Sequence, residues 1–449
     1  MMRLTVAADC LLSQAPPFVE QAIRQRLTID NPKYVAAKRY GRWIGKKLKP
    51  TLHYYHETVE GLRFPRGFAR RAIELCEELT GEKPHVEDER LRLDEVCFDF
   101  HATLRDYQHE AVEAICARSF GVLEAGTGSG KTVMALAVVR RRRQPTIVIV
   151  HTKELLYQWR LRAAEFLGIE PGVVGDGHFS LAPLTIAIVN SARKRVDELV
   201  DHFGHLIVDE CHRVPAALFT DVVSRFSGYF LLGLSATAFR SDEGMTRLIY
   251  YYMGERVHTV GQSQLQESGA VLKPVIDRRL TDFTYRYRGD YQAMVTALTK
   301  DRGRNLCIAD DICRAVRADP HGTALVVSDR LSHCKIFMEL LAPLDLRCAL
   351  LTGQTGADER AAIVEQVRRG ELQVLVATLQ LIGEGFDCPN LSSLFLTTPI
   401  SFEGRLMQVI GRIMRPAHNK TPVVYDYVDH QVAALRRSAA ARQKTLALM

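Results

Sequence analysis

No two of the ten cysteines stand as Cys-x-x-Cys; they lie singly along the 449 residues. That spacing excludes a zinc ribbon or a disulfide framework and argues for a reducing compartment. Long apolar runs are missing too, and none approaches the roughly 20 residues that a bilayer span needs. No membrane partner is therefore expected. The opening residues offer no signal-peptide pattern, so the expected location is cytoplasmic, on the nucleoid if the source is bacterial or phage. Low-complexity sequence is absent. Acid is missing locally: between Asp30 and Glu57 there are seven Lys/Arg and no carboxylate.

What is present is the composition of an ordinary globular protein, 47% hydrophobic and 25% charged, with a formal net charge of +7. The length should divide into about three domains. Residues 1–71 carry 14 Lys/Arg against 5 Asp/Glu, and residues 72–100 carry 3 against 10. The basic stretch is an electrostatic footprint suited to phosphates. Within it Tyr34, Tyr40, Trp43, Tyr54 and Tyr55 alternate with cations that include Arg42, Lys46 and Lys47. Such aromatics can stack bases or fill a small core, and the cations can meet phosphates or simply face water. An amphipathic helix is expected over 68–79, ended by Gly81 and Pro84.

From about 101 to 272, β-branched runs at 121–125, 146–150, 185–189 and 205–209 alternate with helical periods and read as buried parallel strands. A second alternation begins near 323, with strands at 323–328, 373–377, 393–397 and 423–426. The expected fold is α/β, with two tandem RecA-like domains at 101–272 and 273–449 behind a small basic α+β domain at 1–100. Arginines 140–143 should end the helix after Lys131, where cations suit the helix dipole.

Strand 121–125 runs directly into Gly126, Thr127, Gly128, Ser129, Gly130, Lys131 and Thr132, and a helix follows. Glycines let successive backbone N–H groups turn toward a phosphate, and the helix N-terminus adds its dipole. Lys131 would bridge the β- and γ-phosphates of ATP, and the Thr132 hydroxyl would ligate Mg²⁺. Ala125 stands where the strict motif has its first glycine. The strand 78 residues beyond Lys131 ends in Asp209 and Glu210. Asp209 suits the Mg²⁺ hydration shell, and Glu210 can polarise the attacking water. Cys211 and His212 lack further ligands for a metal, and His212 is better suited to a hydrogen-bonding link.

Asp209-Glu210-Cys211-His212 resembles the DExH box of superfamily 2 helicases, and further motifs follow in that family's order. The segment with Arg105 and Gln108 resembles the one that reads adenine. Ser235-Ala236-Thr237 is similar to the motif coupling hydrolysis to domain movement, a role the likeness extends to His212. Gly383 to Asp387, with Gly385 and Asp387 near nucleotide, resembles the motif of the interdomain cleft. Gln408, Arg412 and Arg415 match the Q-x-x-G-R-x-x-R helix, and their spacing of four and three puts them on one face. Two guanidinium groups so placed suit the γ-phosphate of a nucleotide on the other domain.

The same resemblance implies nucleic-acid contacts at Thr152, Lys153, Arg193, Lys194, Thr352, Gly353 and Thr378, directed at the backbone rather than the bases. The sequence around 231–242, 152–159 and 262–271 looks most like XPB-type helicases. Segments near 31–34, 40–45 and 61–62 are loosely similar to the front domain of phage UvsW-type repair helicases. Two departures stand out: the front 100 residues match no damage-sensing domain, and there is no nuclease motif.

The implied activity is ATP-dependent 3′ to 5′ movement on DNA, remodelling single-stranded, forked or branched substrates, with repair or replication proteins as partners. Duplex translocation without unwinding, and action on RNA–DNA hybrid or RNA, are alternatives. A clamp using ATP only as a switch fits poorly, because it could dispense with the water-activating acid.

Overall fold

The computed structural model describes residues 1–39, 43, 48–212, 216–236, 243–382, 388–400, 403–417 and 419–447. They form two compact units, residues 1–125 with 130–260, and residues 126–129 with 261–449.

In the first unit, the basic front segment builds a five-stranded sheet in the order His56–Thr58, Gly61–Pro65, Asp9–Ser13, Arg3–Val6, His85–Asp88. Its pairings are antiparallel except the last. Strand Asp9–Ser13 alternates buried and half-buried positions, the period of a sheet with one face covered. Helices Pro17–Arg26 and Ala69–Thr80 pack on this sheet. The second ends at Gly81, whose φ of +77° suits a left-handed cap. Tyr54 joins the core edge here, with its ring centroid 5.7 Å from that of Tyr251. That favours core over base stacking for this aromatic.

The larger sheet of the unit has eight strands, ordered His178–Ser180, Gly172–Gly175, Leu184–Ile188, Thr146–Val150, His205–Val208, Phe230–Ser235, Val122–Ala125, Arg256–Val260. All pairings are parallel except that of the His178–Ser180 edge. Every residue of Thr146–Val150 and His205–Val208 is buried, because helices cover both faces. Each apolar side chain so enclosed contributes about 1.5–3 kcal/mol.

The arginine run differs from the sequence expectation. The helix Lys131–Arg142 does end there, but Arg142 is a core residue rather than a solvated dipole partner. Its guanidinium donates to the carbonyls of Ile115 and Arg118 and lies 2.8 Å from His205 Nε2. Burial holds the Arg142 guanidinium down at about 10 and the His205 imidazole well below its usual range.

The second unit is a six-stranded, wholly parallel sheet ordered Val275–Leu280, Val423–Val428, Leu391–Leu396, Thr323–Ser328, Val374–Thr378, Cys348–Leu351. The buried ion pair Arg304–Asp429, 2.7 Å apart, ties helix Arg302–Ala318 to the end of strand Val423–Val428. No helix among the described residues is long and apolar enough to cross a membrane.

Candidate nucleotide and nucleic-acid sites

Strand Val122–Ala125 is buried throughout and delivers the chain into the glycine loop. Gly128 and Gly130 adopt φ of +89° and +82°, a region that costs other residues strain. At Gly130 there is no room either: a Cβ would lie 2.4 Å from Gln108 Nε2. Thus the glutamine expected near adenine touches the loop expected near phosphate. Gln108 is buried, and its Oε1 accepts the Arg105 backbone N–H at 3.0 Å, capping helix Asp106–Cys116. The Ser129 N–H donates to the Gly126 carbonyl at 3.2 Å, tightening the turn beside Thr127.

Lys131 and Thr132 open the next helix. Lys131 Nζ donates to the Ala125 carbonyl at 3.1 Å and stands 3.6 Å from Glu210 Oε1, both side chains being largely enclosed. Asp209 ends its strand with both carboxylate oxygens held. The Trp159 indole N–H donates to Oδ2 at 2.8 Å, and the Glu210 backbone N–H donates to Oδ1 at 2.8 Å. Burial, and then the Glu210 charge, push the Asp209 carboxyl above its ordinary value, against Lys131 and the two hydrogen bonds. A buried carboxylate whose charge is disfavoured by desolvation gains from a cation. The Asp209 carboxylate and the Thr132 hydroxyl are hard-oxygen donors of the kind that suit Mg²⁺.

Glu210 sits at φ +46°, in the left-handed region where a non-glycine residue is strained. Its Oε2 is 3.4 Å from His212 Nδ1, which is 3.0 Å from Ser235 Oγ. A continuous polar chain therefore runs Lys131–Glu210–His212–Ser235, from the start of a helix through the turn after strand His205–Val208 to the end of strand Phe230–Ser235. Cys211 is not part of a metal pair: burial pushes its thiol up, and no group of three His, Cys, Asp or Glu among the described residues could hold a metal.

The surface positions are more varied. The Thr152 hydroxyl caps helix Lys153–Leu167 by accepting the Leu155 N–H at 3.3 Å. Lys153 is paired with Asp176, which also accepts the Tyr157 hydroxyl at 2.6 Å. Arg193 is paired with Asp221 at 2.7 Å, and Lys194 is exposed.

In the second unit, Gly353 and Thr378 come together on one cavity of about 480 Å³. Tyr291, Gln292 and Arg330 also line it, and sequence reasoning missed all three because they lie outside any motif. Thr352 is buried, and its hydroxyl accepts the Gln354 N–H at 3.2 Å. Gln408 and Arg412 are buried on helix Glu403–Ile413, and Arg412 Nε donates to the Ile382 carbonyl at 3.2 Å. The helix stops two residues short of Arg415, so Arg415 belongs to the following turn rather than to the helix face. Its carbonyl accepts from Lys420 at 2.8 Å. Thr237, Gly385, Asp387, Arg42, Lys46 and Lys47 lie outside the described residues.

A glycine loop between a buried strand and a helix, with paired acids ending a nearby parallel strand, defines a P-loop nucleoside triphosphatase. Residues 101–240 match the family described as the res subunit of type III restriction enzymes, and residues 307–417 match the helicase conserved C-terminal domain. With both halves in this order, the chain belongs to the superfamily 2 helicases and is a nucleic-acid-dependent ATPase.

The DNA 3′-5′ translocase XPB2 of Sulfurisphaera tokodaii is 28% identical over 76% of this chain and 84% of its own length. The S. cerevisiae Dbp5 L327V structure, bound to RNA and ADP BeF3, shares the fold. It covers 76% of this chain and 88% of its own, at 13% identity and a TM-score of 0.59. The T4 UvsW structure covers 99% of this chain and 97% of its own, at 18% identity and a TM-score of 0.44, too low to support a front-domain likeness.

Proposed function

We propose that the chain is an XPB-like DNA motor that moves 3′ to 5′ by hydrolysing ATP held between its two α/β domains. The observation that carries this reading is the polar chain from Lys131 through Glu210 and His212 to Ser235. It links the group suited to a γ-phosphate with the motif expected to transmit movement. In this reading Gly126, Thr127, Gly128, Ser129 and Gly130 cradle phosphate through backbone N–H groups, and Gln108, set by Arg105, meets adenine. Glu210 accepts a proton from the attacking water. Thr132 and Asp209 would hold Mg²⁺, which would supply charge neutralisation on the phosphates.

Arg412 and Arg415 act from residues 273–449 on the charge that develops in the transition state, with Gln408, Gly385 and Asp387 beside them. Binding and loss of ATP then open and close the cleft, and a strand held by its backbone is stepped along. Thr152, Lys153, Arg193 and Lys194 on one domain, and Thr352, Gly353 and Thr378 on the other, contact that backbone. Residues 1–100 add affinity for forked or branched DNA.

The S. tokodaii relative carries the word translocase in its name, which favours translocation without unwinding as a second reading. Strand displacement on 3′-tailed, 5′-tailed, forked, blunt and RNA–DNA hybrid substrates separates the cases. The proposal expects opening of 3′-tailed and forked DNA with little on 5′-tailed or hybrid. ATPase stimulation by duplex with no strand opened would make the chain a pure translocase.

A further inference from the structure

A second basic site lies apart from the ATP loop, at the seam between the front sheet and the eight-stranded sheet of the first unit. The seam is fixed by close backbone contact. A Cβ on Gly67 would lie 2.4 Å from the Gly254 nitrogen and 2.6 Å from the Tyr251 carbonyl, so only glycine lets the two segments meet. Arg66, buried, crosses the seam to donate to the Gly228 carbonyl at 2.8 Å. Above this contact opens a cavity of about 330 Å³. Five arginines line it, Arg70, Arg71, Arg118, Arg247 and Arg256, against a single carboxylate, Glu255.

Three of these arginines have acids behind them, and the pairings leave donors over. Among the described residues Arg70 commits only Nε, to Glu74 at 3.0 Å. Arg71 bonds Glu74 and Glu78. Arg256 commits Nη1, to the buried Glu124 at 2.9 Å. A guanidinium has five N–H donors, so Arg70 and Arg256 keep most of theirs, and Arg118 has no ion pair among the described residues. Exposed pairs such as Arg70–Glu74 are weak and yield readily to a phosphate.

Three aromatic rings of the wall, Phe68, Tyr251 and Phe120, are already engaged. Phe68 packs edge-on to Tyr251 with centroids 5.7 Å apart, and Phe120 lies under Arg90. A base would find little to stack on, whereas a phosphate would find converging cations.

We propose that this cavity binds a backbone phosphate of the nucleic acid, giving the first unit an anchor outside the strand path of the motor. The inference rests on the nucleic-acid reading above. It also gives Arg70 and Arg71, in the first turn of the front helix Ala69–Thr80, a ligand.

The test uses the full chain and two exposed substitutions, Arg70→Gln and Arg118→Gln, singly and together. Affinity for labelled tailed duplex is measured across a salt series, with melting temperature as the control for folding. Each substitution should weaken binding several-fold and lower the slope of log K against log salt by about one. Arg3→Gln, an exposed arginine elsewhere on the front sheet, should change the slope much less.

Variants that fold normally and bind with the wild-type slope overturn the proposal, as does an equal loss in Arg3→Gln. Inorganic phosphate is titrated separately without nucleic acid. Thermal protection of the wild type alone, with duplex binding unaffected by the substitutions, would assign the cavity to a free anion instead. A wild-type chain that binds no nucleic acid would overturn both this inference and the proposed function. Normal wild-type binding with unaltered variants removes this site only.

Discussion

The Trp159 indole N–H donates to Asp209 Oδ2 across 2.8 Å, with both side chains buried. A hydrogen bond to a charged acceptor is worth about 1.5–3 kcal/mol. Here it fixes the direction in which the remaining lone pairs of the carboxylate point. Trp159→Phe keeps an aromatic ring, though a smaller one, and removes the donor. ATPase turnover should fall roughly 10-fold or more, and the Mg²⁺ needed for half-maximal activity should rise. Steady-state ATPase over a Mg²⁺ series checks this, and unchanged turnover with unchanged Mg²⁺ dependence would mean that the indole is only core.

Gly130→Ala tests the contact between adenine segment and phosphate loop. The substitution meets both a φ of +82° and a 2.4 Å approach to Gln108 Nε2. The left-handed backbone alone costs about 1–2 kcal/mol. The variant should melt at a lower temperature and bind ATP several-fold more weakly, measured by thermal unfolding and a nucleotide titration. An alanine variant with wild-type melting and ATP affinity would show that the loop is free to shift.

The phosphate loop, the acid pair and the central strands were legible in the sequence because each joins a burial pattern to a motif. Strands 146–150 and 323–328 coincide with the observed Thr146–Val150 and Thr323–Ser328. Three kinds of feature were not legible. Edge strands such as His178–Ser180 and Arg256–Val260 lack a continuous apolar run and are defined only by their neighbours. Long-range polar contacts such as Trp159–Asp209 and Arg142–His205 join residues 50 and 63 positions apart, beyond any local pattern. A buried tryptophan in the stripe Leu155, Leu156, Trp159 does need an acceptor for its N–H, and that requirement could have flagged it. The cavities at Arg118 and at Tyr291 arise from packing between distant segments and leave no motif.

Ser235→Ala tests transmission. Ser235 Oγ lies 3.0 Å from His212 Nδ1, at the end of the polar chain from Glu210. Removing the hydroxyl should leave nucleic-acid-stimulated ATPase within a few-fold of wild type while strand displacement per ATP falls about 10-fold. Parallel loss of both activities would make the hydroxyl part of hydrolysis itself and not of its coupling.

His333 gives a pH prediction for the second unit. Burial, and then the Arg304 charge, hold its imidazole down at about 3, and it is bonded to Ser328 Oγ and Asn305 Oδ1 at 3.0 Å each. The unfolded imidazole titrates near 6.5, at about its ordinary value. Between these values the unfolded chain binds the extra proton, so this stabilisation is present above about pH 6.5 and lost as pH falls toward 3. His333→Gln should be clearly less stable than wild type at neutral pH, and the gap should narrow on acidification. Urea unfolding at several pH values measures it; a gap that stays constant would mean that His333 is not held neutral.

We propose that Glu210, held beside Lys131 at 3.6 Å, is the base of an ATPase driven by nucleic acid. The most direct measurement is ATP hydrolysis by wild type and Glu210→Gln, each with and without tailed DNA, alongside ATP binding. Wild-type turnover should rise strongly on adding DNA. The glutamine variant should bind ATP as wild type does yet turn over about 10²–10⁴-fold more slowly. Equal wild-type rates with and without DNA would rule out the nucleic-acid drive, and a glutamine variant that hydrolyses ATP at the wild-type rate would rule out Glu210 as the base.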